Sequence, residues 1–333
     1  MTVPDRYSFA RYLEAKKGID DRSLNGRVWN KLAERLKRLT PDEPIRILEV
    51  GAGIGTMIER MLDKGLLDSA IYIAIDVIEE NKIRARERMR AWAANHCMIY
   101  EEHSMDKWEI SGRNMRIEIG FKNEDFFDFA SSEKGKFDLI IANAFLDLVD
   151  IQATLPVMAG LLEKGGLFYF TINFDGLTVL EPAIDEEMDD LILHQYHKSM
   201  DERLINGRRS GDSRAGRHLF SCLKEAGMQI LDAGSSDWVI FAGPDGYRQD
   251  EIYFLHFIIN SIGQALQDCS ELDSGRLNDW ISERHNQVEN NELIYIAHQI
   301  DFVGSLAEPD LPFIDSNYEA ARLNRAVRDR TID

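Results

Sequence analysis

The stretch from Ile45 to Met61 reads Ile-Arg-Ile-Leu-Glu-Val-Gly-Ala-Gly-Ile-Gly-Thr-Met-Ile-Glu-Arg-Met. Its first six residues form an apolar run, which ends where three glycines stand at alternate positions, and an amphipathic segment follows directly. This order predicts a strand, a tight turn and a helix. Glycines suit such a turn because it takes dihedral angles that other residues avoid, and because a ligand can approach backbone that carries no Cβ. The stretch therefore predicts a nucleotide-type pocket, with a purely structural turn as the alternative.

Polar side chains follow the next apolar runs, at the points where strands are predicted to end. A second run ends in Asp76, 25 positions after Gly51, and a third is followed by Asp125 and Phe126. A carboxylate in the first place can accept hydrogen bonds from both hydroxyls of a ribose. An acid beside an aromatic ring in the second place suits an adenine, because the acid can meet its amine while an apolar side chain covers the ring.

Two further strands complete the alternation of strands and helices. A fourth buried strand, 137–142, leads to Asn143 and Phe145, and a fifth is predicted over 167–172. Such alternation predicts an α/β fold with a doubly wound, mostly parallel sheet whose ligand lies at the carboxyl ends of the strands. The polar residues that follow the strands would all meet at that edge.

The glycine spacing argues against a dinucleotide. Dinucleotide enzymes carry G-x-G-x-x-G, whereas here Thr56 stands in the place of the third glycine and Gly55 comes one residue early. The glycine loop, the acids after strands two and three and the Gly165-Gly166 pair before strand five together resemble the class I S-adenosylmethionine-dependent methyltransferases, over about residues 45–175. The resemblance implies a Rossmann-like, seven-stranded sheet with an antiparallel last strand, and S-adenosyl-L-methionine as cofactor.

The resemblance also implies which residues hold that cofactor. In chain order they are Glu49, Gly51, Gly53, Gly55, Asp76, Asp125, Phe126, Asn143 and Phe145. The glycines would lie against the methionine and ribose portions, and Glu49 near the methionyl amine. Asp76 would hold the ribose hydroxyls and the Asp125-Phe126 pair the adenine, while the last two residues would line the methyl-donating face. Because the sulfonium already activates the methyl group, the protein mainly aligns the acceptor in a dry pocket.

The chain divides by pattern into three parts. Residues 1–44 predict two helices, broken near Gly18 to Asp21, that would form a lid over the pocket. Residues 45–304 would form the methyltransferase domain. Residues 305–333 would form a polar tail.

The domain itself is predicted to carry two helical insertions. One spans about 177–212, after strand five, and the other about 250–290, after strand six. We interpret 228–241 as one bulged sixth strand and 293–303 as the last strand. Insertions at these places in a doubly wound fold lie over the cofactor edge, so we expect them to shape the acceptor pocket.

The insertion after strand five carries the candidates for acceptor chemistry. His194, Tyr196 and His197 could supply a base or orient an acceptor, with an ordinary solvated helix surface as the alternative. Arg208 and Arg209 could bind a carboxylate or phosphate of the acceptor bidentately, or belong to a solvated loop that offsets the acidic surface.

Two residues outside that insertion are further candidates for the acceptor side. Arg22 belongs to a polar set near the break between the N-terminal helices, and Asp237 lies in the bulged strand. A lid over the pocket would bring Arg22 toward a ligand, whereas a solvated helix face would not.

Composition excludes several classes of function. The chain has 58 acidic and 39 basic residues among 333, a net charge of −19, which disfavours nucleic-acid binding. The cysteines, Cys97, Cys222 and Cys269, are odd in number and far apart, so neither a disulfide framework nor a metal site is predicted. No leader-like N-terminus and no apolar run of about 18 residues occurs, so we expect a cytoplasmic protein that does not enter a membrane.

The sequence thus predicts methyl transfer to a small-molecule acceptor by in-line displacement in an enclosed pocket. Methylation of a protein or RNA, or a methyltransferase-like binding protein without turnover, are the alternatives. A homodimer could form through an apolar stripe at 253–258, which could equally be core. No motif indicates whether the acceptor atom is oxygen, nitrogen, carbon or sulfur.

Overall fold

The computed structural model describes residues 3–4, 6–39, 43–133, 135–205, 207–248 and 250–307. Within these residues no helix is both long and apolar enough to cross a bilayer. The predicted tail, 305–333, lies outside the described residues from position 308 onward.

Helices and strands alternate through most of the chain. The helices are α1 (Phe9–Ser23), α2 (Gly26–Leu36), α3 (Thr56–Asp63), α4 (Glu79–Asn95), α5 (Phe126–Ser132), α6 (Ile151–Leu161), α7 (Glu186–Asp201), α8 (Ala215–Glu225), α9 (Glu251–Leu266) and α10 (Ser274–Glu289). The strands are β1 (Ile45–Val50), β2 (Ser69–Ile75), β3 (Ile99–Ser104), β4 (Lys107–Gly112), β5 (Met115–Lys122), β6 (Phe137–Asn143), β7 (Leu162–Glu181), β8 (Leu204–Ile205), β9 (Arg208–Arg209), β10 (Met228–Ser235), β11 (Trp238–Ile240) and β12 (Ile294–Leu306). A single 3₁₀ turn, Leu146–Leu148, follows β6.

The sheet has the doubly wound architecture that the sequence predicted. Its strand order is β10-β12-β7-β6-β1-β2-β5-β4-β3, and β11 pairs with β12. The five central strands, β5, β2, β1, β6 and β7, run parallel, whereas β12 is antiparallel to both β7 and β10. The strand order reverses beside β1, and a crevice at such a switch point is where doubly wound sheets bind ligands.

Both faces of the sheet are covered by helices. One apolar core lies under α2, α3 and α4, and another lies under α5, α6 and α8. The parallel strands are therefore buried on both sides, which explains why residues 47–50 of β1 and 139–142 of β6 are buried in succession rather than alternately.

The main sheet has ten strands, three more than the seven predicted, and β8 and β9 form a separate hairpin. The hairpin of β3 and β4 extends the β5 edge and buries Trp108 and Ile110. The expected bulged strand 228–241 is wrong in detail, since the chain forms two separate strands, β10 and β11. They pair with different parts of β12 because Ser236 and Asp237 break the ladder, and the Asp237 carboxylate accepts from the backbone N–H of Gln299 at 3.3 Å.

Strands β7 and β12 reach well past the rest of the sheet and pair with each other as far as Ile294 and Glu181. Residues 177–181, expected in the helical insertion, are thus the end of β7. We call this projecting part, residues 173–181 of β7 with 294–299 of β12, the β ribbon. Helices α1, α7, α9 and α10 and strand β11 pack on it around a third apolar core that includes Phe174, Trp238 and Phe254.

The N-terminal helices break later than predicted. Gly18 to Asp21 lie within α1, and the break falls at Leu24 and Asn25. Asn25 starts the second helix because its side-chain oxygen accepts from the backbone N–H groups of Arg27 and Val28 at 3.1 and 3.2 Å. The later break turns Lys16 and Asp20 inward, where both are buried.

The apolar stripe at 253–258 packs inside this chain. Tyr12 of α1 stacks on Phe254 and Phe257 with ring centroids 5.5 and 4.1 Å apart. The Tyr253 hydroxyl accepts from the backbone N–H of Ser8 at 2.9 Å. The stripe therefore does not offer the exposed surface on which the homodimer prediction was based.

Candidate active site

A large cavity opens at the carboxyl ends of the parallel strands. Its volume is about 1320 Å³, above the roughly 300–1,000 Å³ of a typical small-molecule pocket. Its donor end is lined by the glycine loop and the residues that follow β2, β5 and β6, and its other end extends beneath α1, α7 and α9 along the β ribbon. We call the second part the inner chamber.

The glycine loop adopts a conformation that side chains disfavour. Gly51, Gly53 and Gly55 have φ angles of +70°, +53° and +75°, in the left-handed region where glycine carries no steric cost. A Cβ built on Gly51 would lie 2.7 Å from Cδ2 of Phe145, so the loop and the turn after β6 leave no space for one. The loop therefore presents bare backbone to the cavity at Gly51 and Gly53, whereas Gly55 does not line the cavity and lies against Ala85 of α4.

Asp76 fixes the loop as well as facing the cavity. Its Oδ2 accepts from the backbone N–H of Gly53 at 2.8 Å, and its Oδ1 accepts from the backbone of Ile78 at 2.9 Å and the amide of Asn81 at 3.0 Å. Burial raises the pKa of Asp76, and the hydrogen bonds oppose the rise. A carboxylate can accept about four hydrogen bonds, so capacity remains for a ligand hydroxyl.

Glu49 lies buried at the floor of the donor end. It accepts from the hydroxyl of Tyr72 at 2.8 Å. Burial raises the pKa of Glu49 to about 8, which the Tyr72 hydrogen bond and Arg60 partly oppose. The side chain is therefore mostly protonated at pH 7, and a cation placed beside it would favour its ionised form.

The adenine candidates lie at the outer end of the donor half. Asp125 caps α5 by accepting from the backbone N–H of Phe127 at 2.8 Å, and Phe126 is buried in the wall. Val77 and Ile78 also line this end and are 65% and 37% exposed. Sequence reasoning missed these two, although their position directly after Asp76 was the available signal.

The two candidates after β6 are placed against the next strand and the glycine loop. The Asn143 Oδ1 accepts from the hydroxyl of Thr171 at 2.8 Å, and Phe145 lies against Gly51. Between them Ala144 has φ of +51°, a conformation that costs a non-glycine residue energy and is found more often at functional sites.

The inner chamber contains a buried ion pair that the sequence did not reveal as a unit. Lys16 donates to Asp20, and both line the cavity. Asp20 also accepts from the indole N–H of Trp238 at 3.0 Å, and the Lys16 ammonium lies 5.2 Å from that ring. Arg60 of α3 completes the set, 3.5 Å from Asp20. Helical spacing of Lys16 and Asp20 on the predicted lid was the only available signal.

The predicted catalytic residues lie at different depths. Tyr196 lines the inner chamber, whereas His194 is exposed on α7 and does not line it. His197 lies one layer back, with its Nε2 3.1 Å from the hydroxyl of Thr178, and burial lowers the pKa of His197. Thr178 itself lines the chamber, so His197 can reach an acceptor only through it.

The predicted acceptor-binding residues are scattered. Arg209 lines the cavity mouth, and Arg208 pairs through its backbone with Ile205 in the β8–β9 hairpin. Arg22 is paired with Glu251, and Asp237 with His298 at 2.8 Å. Neither Arg22 nor Asp237 lines the cavity, so the structure does not bring these two residues to those around Tyr196.

The donor end fits the cofactor that the resemblance implied. It offers backbone without Cβ atoms, a carboxylate with spare acceptor capacity and the apolar side chains of Ile78 and Phe126 in its wall. A sugar hydroxyl, an aromatic base and a short polar chain could each find a matching surface there.

Comparison with known proteins agrees with this geometry. The family model described as "Methyltransferase domain" matches residues 24–232, more than half of the chain. A comparison with curated proteins finds no match.

Solved structures similar to this chain include three S-adenosylmethionine-dependent methyltransferases. The protein from Thiobacillus denitrificans, in complex with S-adenosyl-L-homocysteine, has 12% identity, covering 92% of this chain and 100% of that chain, with a TM-score of 0.44. The one from Methanosarcina mazei has 13% identity, coverage of 82% and 98%, and a TM-score of 0.43. The one from Geobacter sulfurreducens, also with S-adenosyl-L-homocysteine, has 11% identity, coverage of 85% and 92%, and a TM-score of 0.40.

The family assignment rests on the sequence match, and the strand order and the glycine loop agree with it. The chain belongs to the class I S-adenosylmethionine-dependent methyltransferase family.

Proposed function

We propose that this methyltransferase transfers the methyl group to a small molecule held in the inner chamber. The observation that carries the proposal is the continuity of the cavity, in which the glycine loop and the inner chamber share about 1320 Å³. Helix α1 contributes Phe9, Tyr12 and Leu13 to its wall. A macromolecular acceptor would have to enter beneath this helix, whereas a small one needs only the mouth.

S-adenosylmethionine, when bound, supplies a methyl group already activated by a positively charged sulfur. The residues of this chain would orient it. The glycine loop would meet its methionine and ribose portions, with Glu49 near the amine and Asp76 at the ribose hydroxyls. Asp125 and Phe126 would hold the adenine, and Asn143 and Phe145 would bound the side from which the methyl group leaves.

We propose a role for each part of the chain on the same basis. Residues 1–44 would serve as the lid and 45–304 as the methyltransferase domain. The insertion that follows the end of β7, up to about residue 212, and the insertion at about 250–290 would form the walls of the acceptor side. The insertions bear on the chamber through Tyr196, Met200, Phe257 and Ile258.

Tyr196 is the one predicted catalytic residue that we propose to touch the acceptor. His197 would be a positioning residue, because its ring contacts Phe174 at a centroid distance of 5.3 Å and holds Thr178. We assign no acceptor contact to His194, which lies on the exposed face of α7. Arg209 could meet a charged group of the acceptor at the mouth.

Two measurements test the proposal. Calorimetric titration with S-adenosylhomocysteine should give binding in the micromolar range, and NAD should give none. Incubation of the protein with methyl-labelled S-adenosylmethionine and a cell extract should then place the label in the fraction below about 1 kDa. Label confined to protein or RNA would instead favour the macromolecular alternative, and binding of NAD without either S-adenosyl compound would overturn the cofactor assignment.

A further inference from the structure

Four polar residues from four different elements line the same cavity. Tyr12 belongs to α1, Tyr196 to α7, Tyr295 to β12, and Asp147 to the 3₁₀ turn after β6. All four line the cavity. We call them the tyrosine–aspartate cluster. Burial raises the pKa of Tyr12 well above its usual range, and Tyr295, Asp20, Tyr196 and Asp147 add to the rise. Burial also raises the pKa of Tyr196, which Arg203 opposes and Asp147 reinforces.

The hydroxyl groups of this cluster are unused by the fold. Within the part of the chain that the structure describes, Tyr12, Tyr196 and Tyr295 make no hydrogen bond through their hydroxyls. Tyr295 is buried and the other two residues are half-buried. Because all three line the cavity, a ligand there can supply the hydrogen-bond partners that the fold does not.

The carboxylate of Asp147 is also incompletely satisfied. Its Oδ1 is shielded from solvent and has no hydrogen-bond partner among the described residues. Burial raises the pKa of Asp147 to about 6, opposed by its own backbone N–H, by Arg203 and by Lys16, while Asp212 adds to the rise. The group is thus mostly ionised at pH 7 although it lacks a full set of donors.

The nearby cations are engaged elsewhere. Lys16 donates to Asp20 and lies over Trp238. Arg203 donates through its Nε to the carbonyl of Ser210. Neither makes a hydrogen bond to Asp147 in the described structure, so neither cation supplies the hydrogen bond that the Oδ1 atom lacks.

We propose that the tyrosine–aspartate cluster binds an amino group, so that the acceptor is an amine. An ammonium or amine carries several N–H donors, which match hydroxyl and carboxylate oxygens, and the faces of surrounding rings attract a cation. Tyr12, Tyr196 and Tyr295 supply such rings beside Phe174 and Phe257. A carboxylate or phosphate in the same place would face Asp147 and be repelled.

The same cluster gives the amine proton a destination. An ammonium has no free electron pair, so one N–H bond must break before its nitrogen can be methylated. The proton passes to a carboxylate oxygen of Asp147, where an O–H bond forms and the electron pair stays on nitrogen. A carboxylate whose pKa lies above its usual range accepts a proton more readily than an ordinary one.

This inference rests on the proposed function, and its test separates the two. The probe is benzylammonium, an aromatic amine small enough for the chamber, titrated into protein saturated with S-adenosylhomocysteine. Benzyl alcohol and phenylacetate serve as neutral and anionic counterparts of the same shape. If S-adenosylhomocysteine itself does not bind, the proposed function fails. If it binds and benzylammonium does not, only the amine assignment fails.

The expected result is a preference for benzylammonium over both counterparts that depends on Asp147. Asp147→Asn should weaken benzylammonium binding at least about tenfold, because a hydrogen bond to a charged group is lost. Tyr196→Phe, which keeps the ring, should weaken it by about threefold to tenfold. Asp68→Asn, at an exposed acid that does not line the cavity, should leave it unchanged.

The pH dependence gives a second readout that a merely structural role would not produce. An alkylammonium stays protonated through pH 8, as lysine does, so only the protein titrates. Benzylammonium affinity should fall about tenfold between pH 7 and pH 5 as Asp147 becomes protonated, and should stay flat in Asp147→Asn. Preference for phenylacetate, equal binding to Asp147→Asn, or a flat profile in the unmodified protein would each overturn the proposal.

Discussion

Leu13 of α1 lies directly against Gly53 of the glycine loop: a Cβ built on that glycine would come within 3.1 Å of the Leu13 Cδ1. The N-terminal helix thus walls the donor end as well as the inner chamber. It is held there by Arg60 of α3, which is buried and paired with Asp21 and Asp20 of α1. The position of the helix is therefore coupled to the loop that we propose binds the cofactor.

Arg60→Met should loosen α1 and weaken cofactor binding. Removing one partner of a buried ion pair leaves the others uncompensated and costs about 3–5 kcal/mol. We expect a lower melting temperature, faster proteolytic cleavage within α1 and faster dissociation of S-adenosylhomocysteine in a displacement experiment. Arg84→Met is the matched control, since Arg84 is 47% exposed and its pairs lie at 3.5 and 3.9 Å. If S-adenosylhomocysteine dissociated at equal rates from the two variants, the position of α1 would not be coupled to cofactor binding.

Gly51→Ala should abolish tight binding of S-adenosylhomocysteine, whereas Gly65→Ala should not. Both glycines have positive φ, +70° and +60°, so both substitutions carry a backbone cost of about 1–2 kcal/mol. Only at Gly51 would the new methyl group meet Phe145, at 2.7 Å, while nothing lies within 4 Å of Gly65. Calorimetry should show at least a tenfold loss for Gly51→Ala, from overpacking, and an unchanged affinity for the control.

Glu49→Gln should stabilise the ligand-free protein increasingly as pH rises from 5 to 8. An unfolded glutamate ionises near pH 4, whereas in the folded protein burial raises the pKa of Glu49 to about 8. The folded state thus holds the proton over this interval, and stability falls as pH rises through it. The Glu49→Gln variant does not lose stability in this way. The difference in unfolding free energy between the variant and the unmodified protein, measured by chemical denaturation, should therefore grow by a few kcal/mol from pH 5 to pH 8. A pH-independent difference would contradict the raised pKa.

S-adenosylhomocysteine should release a proton when it binds near pH 7. If its amine lies beside Glu49, as we propose, the positive charge favours the ionised carboxylate and lowers its pKa. Calorimetric titrations in buffers of different ionisation enthalpy measure the number of protons released directly. Release should disappear in Glu49→Gln. If the Glu49→Gln variant still released a proton on binding, the proton would come from another group.

The Lys16 and Asp20 pair should show strong coupling in a double-mutant cycle. Asp20→Asn leaves a buried lysine uncompensated, and we expect a loss of about 3–5 kcal/mol. Combining it with Lys16→Met removes the unpaired charge and should recover part of that loss, because replacing both members of a buried pair is often nearly neutral. Additive losses in thermal or chemical denaturation would indicate that the two charges do not depend on each other.

The donor half was predictable because its signals are local. The glycine loop, Asp76 and the Asp125-Phe126 pair each lie within a few residues of a strand end, and a parallel sheet brings all such ends to one edge. Sequence order alone therefore placed these residues around one cavity. The sequence also predicted the seven strands common to the fold, since continuous apolar runs mark strands buried on both faces.

The acceptor half was predictable only in outline. Tyr12, Tyr295 and Asp147 come from segments more than 100 residues apart in sequence, and no periodicity indicates that their side chains meet. Asp237 and Arg22 were expected at the acceptor but pair with His298 and Glu251 instead. Such pairings depend on how helices pack across the β ribbon, which is a tertiary property.

The β ribbon also affects how the molecule unfolds and which of its residues can be substituted. The same two strands complete the sheet beside the donor site and support the helices of the inner chamber. The two halves therefore share one pair of strands, although its pairing shifts register between Ala297 and Gln299 and between Ile300 and Phe302. Hydrogen exchange should report a single cooperative unit rather than two. The helices packed on the ribbon can still change their inward side chains without altering strand pairing. A chain built this way can acquire a new acceptor by substitutions on the inward faces of a few helices, while the residues of the donor site stay unchanged.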